Sequence, residues 1–220
     1  MNMEHIAESL FRKYYNFTQP QITVQDVLNL RKARFINDEY WAIWKKYGEF
    51  FGFLEGFFHK TDGTNQLYKI PENEKFLFQL PQNIVDNFKS DKDLALYLQK
   101  HNIKRMVNEN ARNLILASNK LYEVNTILKP KNLEELMKYR GYGRKIANMV
   151  MNVVFDIPRI AVDVRVFRAG VNLGLLPKEF LNQHNKDKFK IKAEMILNEM
   201  FKDSKFLIEM DYLLFQEGGK

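Results

Sequence analysis

The chain has no cysteine among its 220 residues. This excludes disulfides, thiolate zinc sites and cysteine-ligated iron–sulfur clusters. Histidine is scarce too. His5, His59, His101 and His184 are scattered, with no pair at helical spacing to share a metal. No metal site and no cofactor is implied. No apolar run approaches the ~18 residues of a membrane span. The opening stretch, MNMEHIAESLFRKYY, is charged and amphipathic, unlike a signal peptide. No segment keeps the alternation of a half-buried strand, and there is no internal repeat or low-complexity tract. The expectation is an intracellular protein without a membrane partner, monomeric and all-α.

What is present is apolar and basic. Hydrophobic residues make up 45% of the chain, so a packed core is expected. Basic residues outnumber acidic ones 34 to 27, a net charge of +7 that favours a polyanionic partner. Residues 3–16 place Ile6, Leu10 and Tyr14 on one helical face. Thr23 can cap a helix carrying Val24, Val27, Leu28 and Leu30. Residues 38–58 concentrate aromatics, among them Tyr40, Trp41, Trp44, Tyr47, Phe50, Phe51 and Phe53. A buried helix pair explains this cluster better than a base-stacking platform.

Residues 60–74 are polar and read as the longest loop. FLFQL follows, then a break at Pro81 and a helix from Ser90. Amphipathic helices are expected at 108–124, at 144–155, from Asp163 to near Gly174, at 185–201 and at 203–215.

The most informative stretch is Tyr139–Phe167, YRGYGRKIANMVMNVVFDIPRIAVDVRVF. A short helix capped by Asn132 ends at Gly141. Gly141-Tyr142-Gly143 makes a tight turn, and a second helix begins at once with Arg144-Lys145. Two glycines permit positive φ and close backbone approach. The opening amides of a helix and its dipole together suit an anion. A DNA phosphate is such an anion, and it would be held without reading sequence.

This stretch resembles the helix-hairpin-helix DNA glycosylases, within them the endonuclease III branch. That branch shows G-x-G-R-K-T-A-N-x-V-x-N, then a proline-containing apolar turn and A-V-D-T-H. The chain gives G-Y-G-R-K-I-A-N-M-V-M-N, then F-D-I-P-R-I-A-V-D-V-R. The strong match covers about thirty residues and a weaker one reaches 108–138 and the terminal MDYLLFQEGGK. Tyr139-Arg140 replaces the usual leucine-proline, and Val164-Arg165 the usual threonine-histidine. The chain stops where many relatives begin a four-cysteine cluster loop, so the resemblance implies a branch without that cluster.

The resemblance implies two helical lobes with a DNA-binding cleft between them. One lobe, residues 24–156, ends in the helix-hairpin-helix. The other, residues 1–23 with 157–220, carries Asp163. It also implies a bifunctional glycosylase and abasic-site lyase of base excision repair, with double-stranded DNA carrying a damaged base or abasic site as partner and a cytoplasmic (nucleoid-associated) or otherwise intracellular location. Oxidised pyrimidine is the first substrate expectation and 8-oxoguanine the second.

Lys145 falls at the nucleophile's place and Asp163 at that of the catalytic carboxylate, 163 − 145 = 18 residues apart. Lysine must lose its proton to attack C1′, against a free value of ~10.4. Partial burial, Arg144 and the helix N-terminus would each favour the neutral amine. Asp163 would stabilise positive charge at the sugar, and it can cap its helix as well.

Gln82 and Asn83 match an element that fills the gap left by a flipped base, and equally suit a plain helix start. Arg140, Arg144, Arg165 and Arg168 are candidate phosphate contacts. The competing class is a structure-specific DNA-binding protein without catalysis, which would not need the Lys145/Asp163 pair. A helical protein-interaction module would leave the hairpin unexplained.

Overall fold

A computed structural model of the chain describes residues 2–37, 46–58, 66–104, 106–123, 130 and 132–219. Every regular element among them is helical. Tyr40, Trp41, Trp44 and the centre of the polar loop lie outside the described residues. The chain divides into two units, Met1–Arg34 with Met151–Lys220, and Phe35–Val150.

The first unit opens with α1, Met3–Tyr15, capped by Asn2, whose side chain accepts from Glu4 N at 3.1 Å. Asn16 ends it in the left-handed region, at φ 50°. Helix α2, Val24–Asn37, begins in a reciprocal cap. Thr23 Oγ1 accepts from Asp26 N at 3.1 Å, and Asp26 Oδ2 accepts from Thr23 N at 2.7 Å. Such a pair satisfies two orphan amides at once.

The core of this unit gathers Phe11, Phe167, Phe180, Phe201, Phe206 and Leu213, all at most 2% exposed. Burying each such side chain contributes about 1.5–3 kcal/mol. The sequence put the unit boundary at residue 24; the contacts put it after Arg34. Val27 of α2 belongs to this unit's core and Leu30 packs against it. Arg31 and Arg34 on α2 both reach Glu209, which is fully buried in the same unit.

In the second unit, α3 (Glu49–Glu55) buries Phe50, Phe51, Phe53 and Leu54. With Phe57 and Phe58 they form a core, which settles these described aromatics as packing residues and removes them from any base-stacking platform. Two 3₁₀ turns, Leu67–Lys69 and Glu72–Phe78, occupy part of the expected loop and the FLF segment.

Pro81 starts a helix where a break was expected. It occupies the first turn of α4, Pro81–Asn87, where a missing N–H costs nothing. Helices α5 (Asp91–Lys100) and α4 pack against α6 (Val107–Glu123). Then come α7, Leu133–Met137, and α8, Arg144–Val153. The chain returns to the first unit at Met151, inside α8, and continues with α9 (Val164–Asn172), α10 (Asp187–Phe201) and α11 (Leu207–Glu217). These bounds follow the expected helices to within a few residues, except that α7 stops at Met137, short of Gly141.

Candidate active site

The hairpin between α7 and α8 is built from the inside outward. Asn132 caps α7 by accepting from Glu135 N at 3.1 Å. Tyr139 N donates to Leu136 O, and Tyr142 N to Tyr139 O, closing two successive turns. Gly141 sits at φ +103° against the core. A Cβ there would lie 2.8 Å from Asn113 Nδ2 and 3.1 Å from Phe57 Cδ1. Only glycine meets both the conformation and the space.

Tyr142 lies between the two glycines of the turn. The sequence names it with Gly141 and Gly143 as a candidate DNA contact; its side chain is 5% exposed and belongs to the core, which leaves the backbone of the turn as the part open to a phosphate. Its ring stacks on Phe53 with centroids 5.1 Å apart and meets Phe57 edge-on at 5.0 Å. Its hydroxyl donates to the Phe53 carbonyl. Burial holds that hydroxyl well above the usual tyrosine range. A large aromatic ring two residues from a buried helix had to choose between solvent and Phe53, and the apolar area decided it.

Gly143 is the opposite case. It is exposed, and a Cβ there would meet nothing within 4 Å. The first bond of α8 runs from Ala147 N to Gly143 O at 3.0 Å. The turn therefore presents a bare backbone just where a helix begins.

Lys145 lies in the first turn of α8 and is exposed, while Ile146, Ala147 and Val150 turn inward. The partial burial expected of it is thus absent from the chain alone. Position 145 points away from the apolar stripe that α8 lays on its unit. Arg144 is half-buried and Arg140 exposed. Asn148, one turn on, is buried and donates to Arg144 O at 3.1 Å.

Asp163 belongs to the other unit. It is half-buried and caps α9, its Oδ1 accepting from Arg165 N at 2.8 Å and Val166 N at 3.0 Å. The capping role is therefore real, and it fixes the carboxylate rigidly. Arg165 and Arg168 are exposed. The Arg165 guanidinium lies over Phe215, 4.5 Å from the ring centroid. Gly218 presses on the same turn: a Cβ there would fall 1.8 Å from Arg165 O. The terminal Gly-Gly was the sequence signal for that contact.

Gln82 and Asn83 stand in the first turn of α4. Gln82 donates to Asp86 on its own helix, and Asn83 donates to Phe76 O at 2.5 Å. Both bonds lie at the start of α4.

Sequence reasoning missed the ionic cluster around Glu209. Arg34 Nη2 lies 3.0 Å from both of its oxygens and Arg31 Nη1 lies 3.3 Å from Oε1, while Tyr15 donates to Oε2 at 3.0 Å. A lone glutamate inside the apolar run LIEMDYLLF was the available signal. Among the described residues no group of acidic, histidine or cysteine side chains could hold a metal ion.

No protein-family model matches the chain. Curated relatives match over part of it. Endonuclease III of Rickettsia prowazekii is 40% identical over 70 residues, 32% of this chain and 33% of that one. Endonuclease III of Buchnera aphidicola subsp. Acyrthosiphon pisum is 33% identical over 105 residues, 48% of this chain and 44% of that one. The chain thus spans about a third to under half the length of these relatives. In three dimensions it matches a trapped endonuclease III–DNA covalent intermediate with a TM-score of 0.57 and 20% identity. That match covers 89% of this chain and 85% of that one.

In fold, and over part of its sequence, the chain is similar to endonuclease III.

A non-covalent endonuclease III–DNA complex gives the same TM-score, 0.57, at 18% identity. At these identities the structures establish the fold shared with endonuclease III. The sequence relatives establish a likeness over part of the chain.

Proposed function

We propose that the chain is a bifunctional DNA glycosylase and abasic-site lyase of base excision repair. The observation that carries this is the open Gly143 turn leading straight into Lys145, in a chain with the endonuclease III fold. A binder of phosphates needs the turn but has no use for a lysine followed by a rigidly capped aspartate.

The chemistry follows from the parts. The backbone at Gly143 and the start of α8 hold a phosphate of the damaged strand. The target nucleotide leaves the duplex. Lys145 Nζ, once deprotonated, attacks C1′, and the base departs with the electrons of the N-glycosidic bond and takes up a proton. Asp163 supplies fixed negative charge for the oxocarbenium-like sugar and accepts the lysine's proton, directly or through water. Ring opening then gives a protonated Schiff base between Lys145 and C1′. Loss of a C2′ proton pushes electrons toward C3′, the C3′–O bond breaks, and the 3′ phosphate leaves. Water finally hydrolyses the imine. By its branch resemblance the substrate is an oxidised pyrimidine, with 8-oxoguanine second.

Borohydride reduction of the imine tests this reading. Wild-type protein mixed with a duplex carrying an abasic site or a single oxidised pyrimidine should give a covalent adduct. Lys145→Gln should give none while still binding the duplex. Adduct formation that survives Lys145→Gln assigns the nucleophile elsewhere. Binding without any adduct from the wild type leaves a structure-specific DNA-binding protein.

A further inference from the structure

The backbone that leads to Asp163 is held by side chains on α8, α10 and α11, all of them within Met151–Lys220 of the first unit. Residues 156–163 form neither helix nor strand, yet Ile160, Ala161 and Val162 are at most 5% exposed. A buried stretch outside regular structure must find partners for its peptide groups elsewhere. Asn152, on α8, donates to Arg159 O at 2.6 Å. Asn198, on α10, grips both sides of the next residue: Ile160 N donates to its Oδ1 at 3.0 Å, and its Nδ2 donates to Ile160 O at 3.3 Å. That Nδ2 also donates to Glu194 O at 2.9 Å, which fixes the amide against its own helix. Asp211, on α11, accepts from Ala161 N through Oδ1 at 2.9 Å.

Only Val162 separates this grip from Asp163. Two residues span at most about 7 Å of extended chain, and Val162 is itself locked in the core. The far side of Asp163 is fixed by the amides of Arg165 and Val166. The cap alone would let the carboxylate travel with α9. The grip at 160 and 161 ties the cap to α10 and α11 instead.

We infer that Asn198 and Asp211 are positioning residues that set the place of the Asp163 carboxylate by holding the peptide groups of Ile160 and Ala161. Neither touches the sugar in this scheme; both act through Asp163. The inference rests on the reading of Asp163 as the catalytic carboxylate.

Two measurements test it. The first needs no activity: amide hydrogen exchange in the wild type, Asn198→Ala and Asp211→Ala. Exchange at Arg165 and Val166 should quicken tenfold or more in the alanine variants, while amides in the middle of α1 stay protected. Asp211→Asn, which keeps an oxygen for Ala161 N, should match the wild type. Asn198→Asp keeps the acceptor and loses the donor, and should fall between. Unchanged protection at Arg165 and Val166 in folded alanine variants overturns the inference. If an alanine variant does not fold, the graded series Asn198→Asp and Asp211→Asn decides on the same amides, and equal protection in Asn198→Asp and the wild type then overturns it.

The second is single-turnover excision on a lesion duplex that the wild type cleaves. The alanine variants should lose about 10- to 100-fold in rate, with duplex affinity within about twofold of the wild type and with Asp211→Asn near normal. Full rates in folded alanine variants overturn the inference. A wild type that cleaves no lesion duplex sinks the catalytic reading instead, and hydrogen exchange still decides the grip.

Discussion

Two carboxylates show how differently one residue type can be used. Asp163 is held in place by amides at a helix start. Asn offers the same acceptor, so Asp163→Asn should keep stability within about 1 kcal/mol. It removes the negative charge, and excision should fall by about 100-fold or more. A folded Asp163→Asn protein with near-normal excision would reduce Asp163 to its cap. Glu55 is the contrasting case. It is fully buried in the second unit, accepting from Gln66 N at 3.1 Å and Leu67 N at 2.7 Å. Burial pushes its carboxyl up to about 8, and the two amides and Lys75 offset that only in part. Because the folded value lies above the unfolded one, folding takes up a proton. The stability this contributes is full below about 4.5 and is lost as pH rises through about 8. Melting temperature should therefore decline between pH 5 and pH 8.5. Glu55→Gln cannot titrate, so its curve should be flatter over that window whatever its absolute level. Parallel curves for the two proteins would assign the pH dependence to other groups.

At the scale of the element, the hairpin separates folding from binding across two residues. Gly141 faces inward at φ +103° with Asn113 and Phe57 against it; Gly143 faces outward with nothing near. Gly141→Ala should cost about 1–3 kcal/mol of stability, from backbone strain and the crowded Cβ. Gly143→Val should melt nearly as the wild type and bind every duplex more weakly, lesion or none, since it blocks backbone approach without touching a base. A change in lesion preference with intact non-specific affinity would place Gly143 in the base pocket. The sequence made both glycines legible as a turn, because G-x-G before R-K at the head of an amphipathic helix has few other uses. It could not tell the two apart, nor place Tyr142. Which face of a three-residue turn packs inward depends on Phe53 and Phe57, some ninety residues earlier. Pro81 was misjudged for a similar reason: a proline breaks a helix or begins one, and only the preceding 3₁₀ turn decides. Caps were the most legible feature, since Thr23, Ser90, Asn132 and Asp163 each act on an amide within three residues.

Across the whole molecule, the net charge of +7 is divided between two jobs. Arg31 and Arg34 are spent internally on Glu209, with side-chain exposures of 5% and 16%. Removing one cation from a buried, hydrogen-bonded cluster typically costs about 3–5 kcal/mol, so Arg34→Ala should lower stability sharply. Its effect on DNA should follow from unfolding alone. Arg140, Arg165 and Arg168 are exposed and cost little to remove. If they meet phosphates, each releases counterions on binding, and the logarithm of affinity falls with the logarithm of salt by about 0.9 per contact. Arg140→Ala should therefore flatten the salt dependence of duplex binding by close to one contact, equally for damaged and undamaged DNA, with an unchanged melting temperature. Measuring duplex affinity from low to moderate salt for the wild type and for each arginine variant separates the two groups. An exposed arginine whose loss leaves the slope untouched lies off the DNA path, and three such results would leave both the hairpin and α9 without an arginine contact to phosphate.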